Sequence, residues 1–298
     1  MTHSHIYPEI DKGRLAVIEN IARAVEDGDL FRKVEIGDPA PTDEDIKRVV
    51  VPFDNLRKNP VKRMLAWVAT RLADSQAKKM ADAVKIEGRE NLAGLTGGFI
   101  MTSNHYNPID SLPPRLSVLK HGKGRGLHIV VQESNLFMDG FFGFLMKNCN
   151  TLPVSRNLGY MSRNLKPSIG TLLDKGEVVL VYPEAEMWFN YKKPREYMDG
   201  AYYYAVEFDK PILPCFTTFE ANEEYGDDGL HTLKYTFHIM PPIYPDATLP
   251  KRERRQKMKD ADAAAKRECY LRAYGKEPEA DFRPERDIAG FPSGAIVN

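Results

Sequence analysis

Hydrophobic residues in the middle of the chain fall into short runs that alternate with amphipathic stretches. Between about Val84 and Met240, the apolar runs are typical of buried strands, and the stretches between them repeat their apolar positions every three or four residues, as helices do. The predicted strands are 84–87, 98–103, 127–132, 178–182, 212–218 and 233–240, and the predicted helices are 108–119, 134–147, 166–175 and 198–208. This alternation predicts an α/β fold, in which a mixed sheet is flanked by helices and preceded by an N-terminal helical segment.

The same pattern divides the chain into three parts. They are an N-terminal helical segment (1–80), a main domain (81–275) and an irregular C-terminal tail (276–298). The main domain ends in a charged helix that runs from Lys251 to about Tyr274. No internal repeat or low-complexity tract interrupts this arrangement.

One helix of the N-terminal segment has an apolar stripe bordered by basic residues. The stripe consists of Val61, Met64, Leu65, Val68 and Leu72, with Trp67 beside it, and the basic residues are Lys62, Arg63, Arg71, Lys78 and Lys79. Two interpretations fit this pattern. The helix packs its stripe against the core, or it lies at a membrane surface with its tryptophan and lysines among the lipid headgroups.

Composition narrows the class of protein. The 298 residues include 42 basic and 42 acidic side chains, and this balance gives no reason to expect nucleic acid as a partner. Three widely spaced cysteines favour a reduced, cytoplasmic compartment. The N-terminus lacks the regions of a signal peptide, and no apolar run approaches the ~20 residues that span a bilayer. We therefore expect a protein that is soluble or lies on a membrane surface.

The candidate chemistry begins with the segment Ser103–Asp110, SNHYNPID, which follows a predicted strand. Asn107 suits a helix N-cap and Pro108 the first turn, which would place Asp110 in that turn. His105 precedes Asp110 by five residues, so a base and its orienting carboxylate could meet here. Taken alone, the pair is equally consistent with a structural histidine near a helix cap.

Two further polar residues follow predicted strand-like stretches. Arg156 ends the stretch TLPVSR, and Glu184 follows the apolar run that starts at Val178. The strand ends of an open α/β sheet gather at one crevice, where ligands bind. We therefore expect His105, Arg156 and Glu184 to face one cleft.

Four ordered blocks resemble those of the PlsC-like glycerolipid acyltransferase superfamily, typified by 1-acylglycerol-3-phosphate acyltransferase. NHYNPID is similar to the NHxxxxD block, and NTLPVSR to the G-x-I-P-V-x-R block with Asn150 at the glycine position. VYPEAE is similar to the FPEGTR block, and KPILP to the final strand block. The resemblance runs from about Val84 to Phe219.

The resemblance implies a reaction and a role for each matching residue. His105 would be the general base that takes the proton of an acceptor hydroxyl, and Asp110 would fix its tautomer. Arg156 would hold an anionic group of the acceptor, Glu184 would orient the acceptor or structure the site, and Asn104 would line the substrate site. The acyl donor would be acyl-CoA or acyl-carrier protein, and the acceptor a lysophospholipid hydroxyl. The resemblance implies no metal, no cofactor beyond the acyl donor, and a peripheral location on the inner face of the cell membrane.

The FPEGTR block shows three departures. Ala185, Glu186 and Met187 replace its glycine, threonine and arginine, and in relatives that arginine helps to bind the acceptor's phosphate. Lys193 and Arg195 follow closely and either replace this charge or belong to a solvated loop. Two alternatives therefore stay open: a different acceptor such as a glycolipid, or a non-catalytic lipid-binding protein on the same scaffold.

Overall fold

The computed structural model describes residues 10–53 and 59–292, which form a mixed seven-stranded sheet with helices on both sides. Neighbouring strands run in the order β1-β7-β6-β2-β5-β3-β4, and only the pair β6 and β7 is antiparallel. The strands are β1 Val84–Glu87, β2 Phe99–Thr102, β3 Leu127–Gln132, β4 Thr151–Val154, β5 Val178–Val181, β6 Ile212–Tyr225 and β7 His231–Ile239.

The helices lie before, between and after these strands. They are α1 Lys12–Glu26, α2 Asp43–Val49, α3 Pro60–Lys79, α4 Arg89–Gly94, α5 Leu112–His121, α6 Gly140–Asn148, α7 Lys166–Asp174, α8 Gly200–Glu207, α9 Lys251–Tyr274 and α10 Pro284–Asp287. A 3₁₀ turn (Glu133–Phe137) precedes α6, and a short turn (Leu158–Tyr160) and a π turn (Met161–Leu165) lead into α7. None of the described helices is long and apolar enough to cross a membrane.

The central strands are buried on both faces, and their side chains divide between two apolar clusters. In β2, Phe99 and Met101 belong to one cluster and Ile100 to the other, because successive residues of a strand point to opposite faces. This two-sided burial explains why the parallel strands read as continuous apolar runs in the sequence.

All six strands predicted from the sequence are present, and the charged helix ends where we expected. The predicted helix 108–119 begins later, at Leu112. Asn107 closes a turn instead, since its side chain accepts a hydrogen bond from Ile109 N (3.0 Å) and its carbonyl accepts one from Asp110 N (3.1 Å). The expectations that Asn107 is an N-cap and that Asp110 lies in a first helical turn are therefore wrong.

The two ends of the chain pack onto the main domain. Helix α1 and residues 288–291 share a third apolar cluster with Trp188 and Tyr191. The expected irregular tail thus contains α10 and buried residues such as Ile288, as far as it is described. Residues 1–9 and 54–58 of the N-terminal segment and residues 293–298 of the tail lie outside the described residues.

Candidate active site

A histidine and a carboxylate meet just beyond the end of β2. His105 Nδ1 lies 2.5 Å from Asp110 Oδ2, and Tyr106 N donates to the same oxygen at 3.1 Å. The imidazole also stacks on the Tyr182 ring, with 4.3 Å between centroids. Asp110 is buried, whereas the His105 side chain keeps 23% of its surface exposed. Because Nδ1 is engaged by Asp110, Nε2 is the ring nitrogen left to exchange a proton with a substrate.

Glu184 is hydrogen-bonded to the backbone of the loop that carries His105. Its Oε2 accepts hydrogen bonds from His105 N and from Arg195 Nη2, both at 3.1 Å, and its Oε1 accepts one from Arg195 N at 3.3 Å. Both side chains are fully buried, and the guanidinium lies 4.4 Å above the Trp188 ring. Burial lowers the pKa of Arg195, and the charge of Glu184 opposes that shift. Glu184 and Arg195 therefore support the loop as a neutralised pair.

Asn104 and Lys193 are engaged within the chain. The Asn104 amide donates to Thr217 O (3.1 Å) and its oxygen accepts from Thr217 N (2.8 Å), which ties the end of β2 to β6. The Lys193 ammonium donates to Glu279 O (2.9 Å), Asp281 O (2.7 Å) and Asp287 Oδ2 (3.0 Å). All three ammonium donors are used, so Lys193 has no free donor to offer a ligand in this structure.

Arg156 lies on the same edge of the sheet as His105, but beyond β4. Its side chain is 58% exposed and contacts Asp43 Oδ1 at 3.2 Å and Glu133 Oε1 at 3.4 Å. Its Nη2 also donates to Pro41 O at 2.7 Å. The resemblance assigns the Arg156 guanidinium to an anionic ligand. In this structure the guanidinium contacts two acidic side chains instead.

Two positions where the resemblance expects glycine keep a left-handed backbone. Asn150 has a φ of 47° and Ala185 a φ of 64°. Asparagine tolerates the left-handed region, whereas an alanine there costs roughly 1–2 kcal/mol. At both positions the backbone therefore has a conformation that glycine adopts easily, although neither residue is a glycine.

The N-terminal strap, residues 27–42 between α1 and α2, contributes to this edge of the sheet, and we did not expect this from the sequence. Arg195 Nη1 donates to Leu30 O (3.0 Å), and Trp188 Nε1 donates to Arg32 O (2.9 Å). Trp188 N in turn donates to His105 O at 3.1 Å. The strap is therefore anchored on the loops that carry His105 and Glu184.

Glu35 is a largely buried acidic residue of the strap. Its side chain is 14% exposed. Burial raises the pKa of its carboxyl, while Arg14 and the imidazole of His105 act in the opposite direction. No motif or spacing in the sequence marks this residue. Elsewhere, no group of three or more His, Cys, Asp or Glu among the described residues could hold a metal ion.

Comparison with known protein families identifies one family over the middle of the chain. Residues 83–218 match the family model described as Acyltransferase, and this range contains His105, Asp110, Arg156 and Glu184. This segment is an acyltransferase domain. No curated protein sequence matches the chain.

Among solved structures, the chain is similar over most of its length to an enzyme of known structure. It is the 1-acyl-sn-glycerophosphate (LPA) acyltransferase PlsC from Thermotoga maritima, with 15% sequence identity and a TM-score of 0.48. The similarity covers 77% of this chain and 89% of that one. The strap and α9 lie outside the range matched by the acyltransferase model.

Proposed function

We propose that the protein transfers a fatty acyl group from acyl-CoA or acyl-carrier protein to the hydroxyl of a lysophospholipid-like acceptor. The observation that carries the proposal is the contact between His105 and Asp110 inside the acyltransferase domain. In this mechanism His105 Nε2 takes the hydroxyl proton as the acceptor oxygen attacks the thioester carbonyl. The tetrahedral intermediate then expels the thiolate, which recovers the proton from the imidazolium. The products are an ester and a free thiol.

Two neighbours prepare His105 for this role. Asp110 accepts a hydrogen bond from Nδ1–H, which leaves the lone pair on Nε2, and its charge stabilises the imidazolium that forms during attack. Stacking on Tyr182 limits rotation of the ring. A positioned base of this kind contributes ~10²–10⁴-fold to the rate.

In the proposed complex, Arg156 binds an anionic part of the acceptor. Its exposed guanidinium can exchange Asp43, which is itself 82% exposed, for such a group at little cost. We assign Glu184 the support of the His105 loop. We assign no acceptor contact to Asn104 or Lys193, because their polar groups are engaged within the chain. We assign none to Arg195 either, because its buried guanidinium lies on the Trp188 ring and is bonded to Glu184.

A different acceptor is the second candidate, and one observation favours it. Met187 stands where the related block has its phosphate-binding arginine, and the nearby Arg195 is neutralised by Glu184. An acceptor without a terminal phosphate, such as a glycolipid, would not need that charge.

We further propose that the protein works as a peripheral protein on the inner face of the cell membrane, where cytoplasmic acyl donors are available. Helix α3 buries only its alanines, Ala69, Ala73 and Ala77. Six large apolar residues of α3 and the adjacent α6 are exposed: Val61 59%, Met64 59%, Trp67 61%, Leu72 39%, Phe141 47% and Phe142 45%. A helix with exposed apolar residues, a tryptophan and flanking basic side chains suits the interface of an anionic bilayer.

The test is release of free CoA from palmitoyl-CoA by wild-type protein and by His105→Ala. The acceptor panel comprises lysophosphatidate, glycerol 3-phosphate, other lysophospholipids and a neutral glycolipid, with acyl-carrier protein as a second donor. We expect acceptor-dependent release that falls at least 100-fold in His105→Ala. His121→Ala, at the C-terminal end of α5, is the matched control and should stay fully active.

Thermal unfolding of the same variants separates chemistry from folding. His105→Ala should unfold within a few degrees of the wild type. Full activity in His105→Ala would show that His105 is not the general base. A loss of stability that parallels the loss of activity would show that His105 is structural.

A further inference from the structure

A charged pair is buried where α9 meets the end of β2. Asp262 and Lys266 lie one turn apart on α9, and Lys266 Nζ is 3.0 Å from Asp262 Oδ2. Two hydroxyl groups also donate to the carboxylate: Thr102 Oγ1 to Oδ1 (3.0 Å) and Tyr202 Oη to Oδ2 (2.7 Å). All four side chains are fully buried. None of these groups takes part in the acyl transfer proposed above.

Stability alone does not account for this pair. Taking two charges out of water costs free energy that their attraction seldom returns in full, and apolar residues packed in the same space are often equally stable or more so. Apolar residues do not supply direction, whereas a hydrogen bond to a charged group holds its partner at a defined distance and angle. The pair therefore suits a role in which the position of a partner matters.

Thr102 is the partner that leads to the active site. It is the last residue of β2, and His105 follows three residues later. Its side chain shares a face of the sheet with Ile100, two residues before it, and Ile100 belongs to the same apolar cluster as Met258 of α9. Asp262 therefore holds the end of β2 from the helical layer, at the point where the loop that carries His105 leaves the sheet.

That loop is aligned against groups that follow a different strand. The His105 ring stacks on Tyr182, and His105 N donates to Glu184 Oε2, both of which lie just beyond β5. A shift of the end of β2 relative to β5 would disturb both contacts and the contact with Asp110. A misplacement of about 1 Å can lower a rate ~100-fold. The fixed end of β2 is therefore of direct value to the reaction.

We propose that Asp262 is a positioning residue for His105: it fixes the end of β2 through Thr102, and Lys266 neutralises its charge. The inference rests on the acyl transfer proposed above. It gives a part in that reaction to α9, which lies outside the range matched by the acyltransferase model. Tyr202 donates to the same carboxylate from α8, a helix that carries none of the residues assigned to the site.

The test compares Thr102→Val with Tyr202→Phe. Each variant removes one hydroxyl group from Asp262 and nearly keeps the size of the side chain, so both should lower the urea midpoint of unfolding by a similar amount. Only Thr102→Val should lower kcat, about tenfold, with the acceptor KM within twofold of the wild type. Thr102→Ser keeps the hydroxyl group and should restore kcat to within twofold.

A second measurement needs no turnover. The Nδ1–H proton of His105, which Asp110 holds, should give a proton NMR signal downfield of the backbone amides, identified by its absence in His105→Ala. We expect the signal to broaden in Thr102→Val, because a less fixed loop exchanges this proton with water faster, and to persist in Tyr202→Phe.

A joint replacement covers the case in which Thr102→Val does not fold. The double variant Asp262→Leu with Lys266→Met removes both charges together, which often preserves stability, and it removes the same hold on Thr102. We expect from it the same fall in kcat and the same broadening of the signal.

Each outcome decides for or against this inference. An unchanged kcat and an unchanged signal in Thr102→Val would overturn it and leave the acyl transfer intact. Equal losses of kcat in Thr102→Val and Tyr202→Phe, in step with stability, would show that the cluster is only structural. A wild type with the signal but without transfer would reject the proposed function, and broadening in Thr102→Val would still support the positioning of His105. A wild type with neither would overturn both.

Discussion

At the scale of single residues, the charged side chains of the site fall into two groups. Glu184 and Arg195 are fully buried and bonded to one another, and Glu184 also holds the loop that carries His105. Arg156 is exposed and pairs with Asp43, which is more exposed still. In the proposed function, recognition of the acceptor therefore depends on Arg156.

Arg156→Ala should raise the acceptor KM about tenfold and change kcat less than about twofold, because the contact with the anionic group is made already in the ground state. Steady-state kinetics at saturating acyl-CoA measures both constants. Arg255→Ala, on α9, is the matched control, since it removes the same charge away from the strand ends. A fall in kcat with an unchanged KM would mean that Arg156 acts on the transition state instead.

At the scale of elements, α3 is packed in an unusual way. Its alanine face lets it lie close to α5 and α6, and Asp74 of α3 pairs with the buried Arg115 of α5 at 3.0 Å. Four of its larger apolar side chains, Val61, Met64, Trp67 and Leu72, are exposed. Stability does not explain this arrangement, since burying those side chains would stabilise the fold by about 1.5–3 kcal/mol each. The proposed contact with lipid would explain it.

Trp67→Ala should weaken binding to vesicles that contain anionic lipid about tenfold, because the indole would no longer enter the interface. Co-sedimentation with vesicles measures the binding, and thermal unfolding should stay unchanged. Tyr244→Ala removes another exposed aromatic side chain, 63% exposed, and serves as the control. Equal binding of all three proteins would contradict a membrane role for α3.

At the scale of the whole molecule, the C-terminal tail is fastened to the loop that follows the active-site block. Asp287 is fully buried and contacts Lys193 and Arg286, and its carbonyl accepts a hydrogen bond from Lys192 N at 2.9 Å. Burial raises the pKa of Asp287, but hydrogen bonds from Arg286 and Lys193 outweigh it, and the pKa is lowered overall. This cluster joins residues that are far apart in the chain.

Lys193→Met should lower the free energy of unfolding by about 3 kcal/mol, because Asp287 would lose one of its buried partners. The acceptor KM should stay unchanged. Urea unfolding and steady-state kinetics test the two statements together, with the exposed Lys175→Met as the control. A higher acceptor KM at an unchanged free energy of unfolding would indicate that Lys193 contacts the acceptor.

The sequence by itself determined the order of strands and helices and the proximity of His105 to Asp110. Both depend on residues close together in the chain, where periodicity and spacing are informative. The start of α5 was misplaced because the side chain of Asn107 can cap a turn as well as a helix.

Only the tertiary structure decided which polar residues remain available to a ligand. Asn104 is occupied by Thr217 and Lys193 by Asp287, partners that lie far away in the sequence. The anchoring of the strap on Trp188 and Arg195 and the exposure of Val61, Met64 and Trp67 likewise depend on how distant segments pack. No local pattern of hydrophobic and polar residues contains that information, because such patterns report burial along one element and not the partner that covers it.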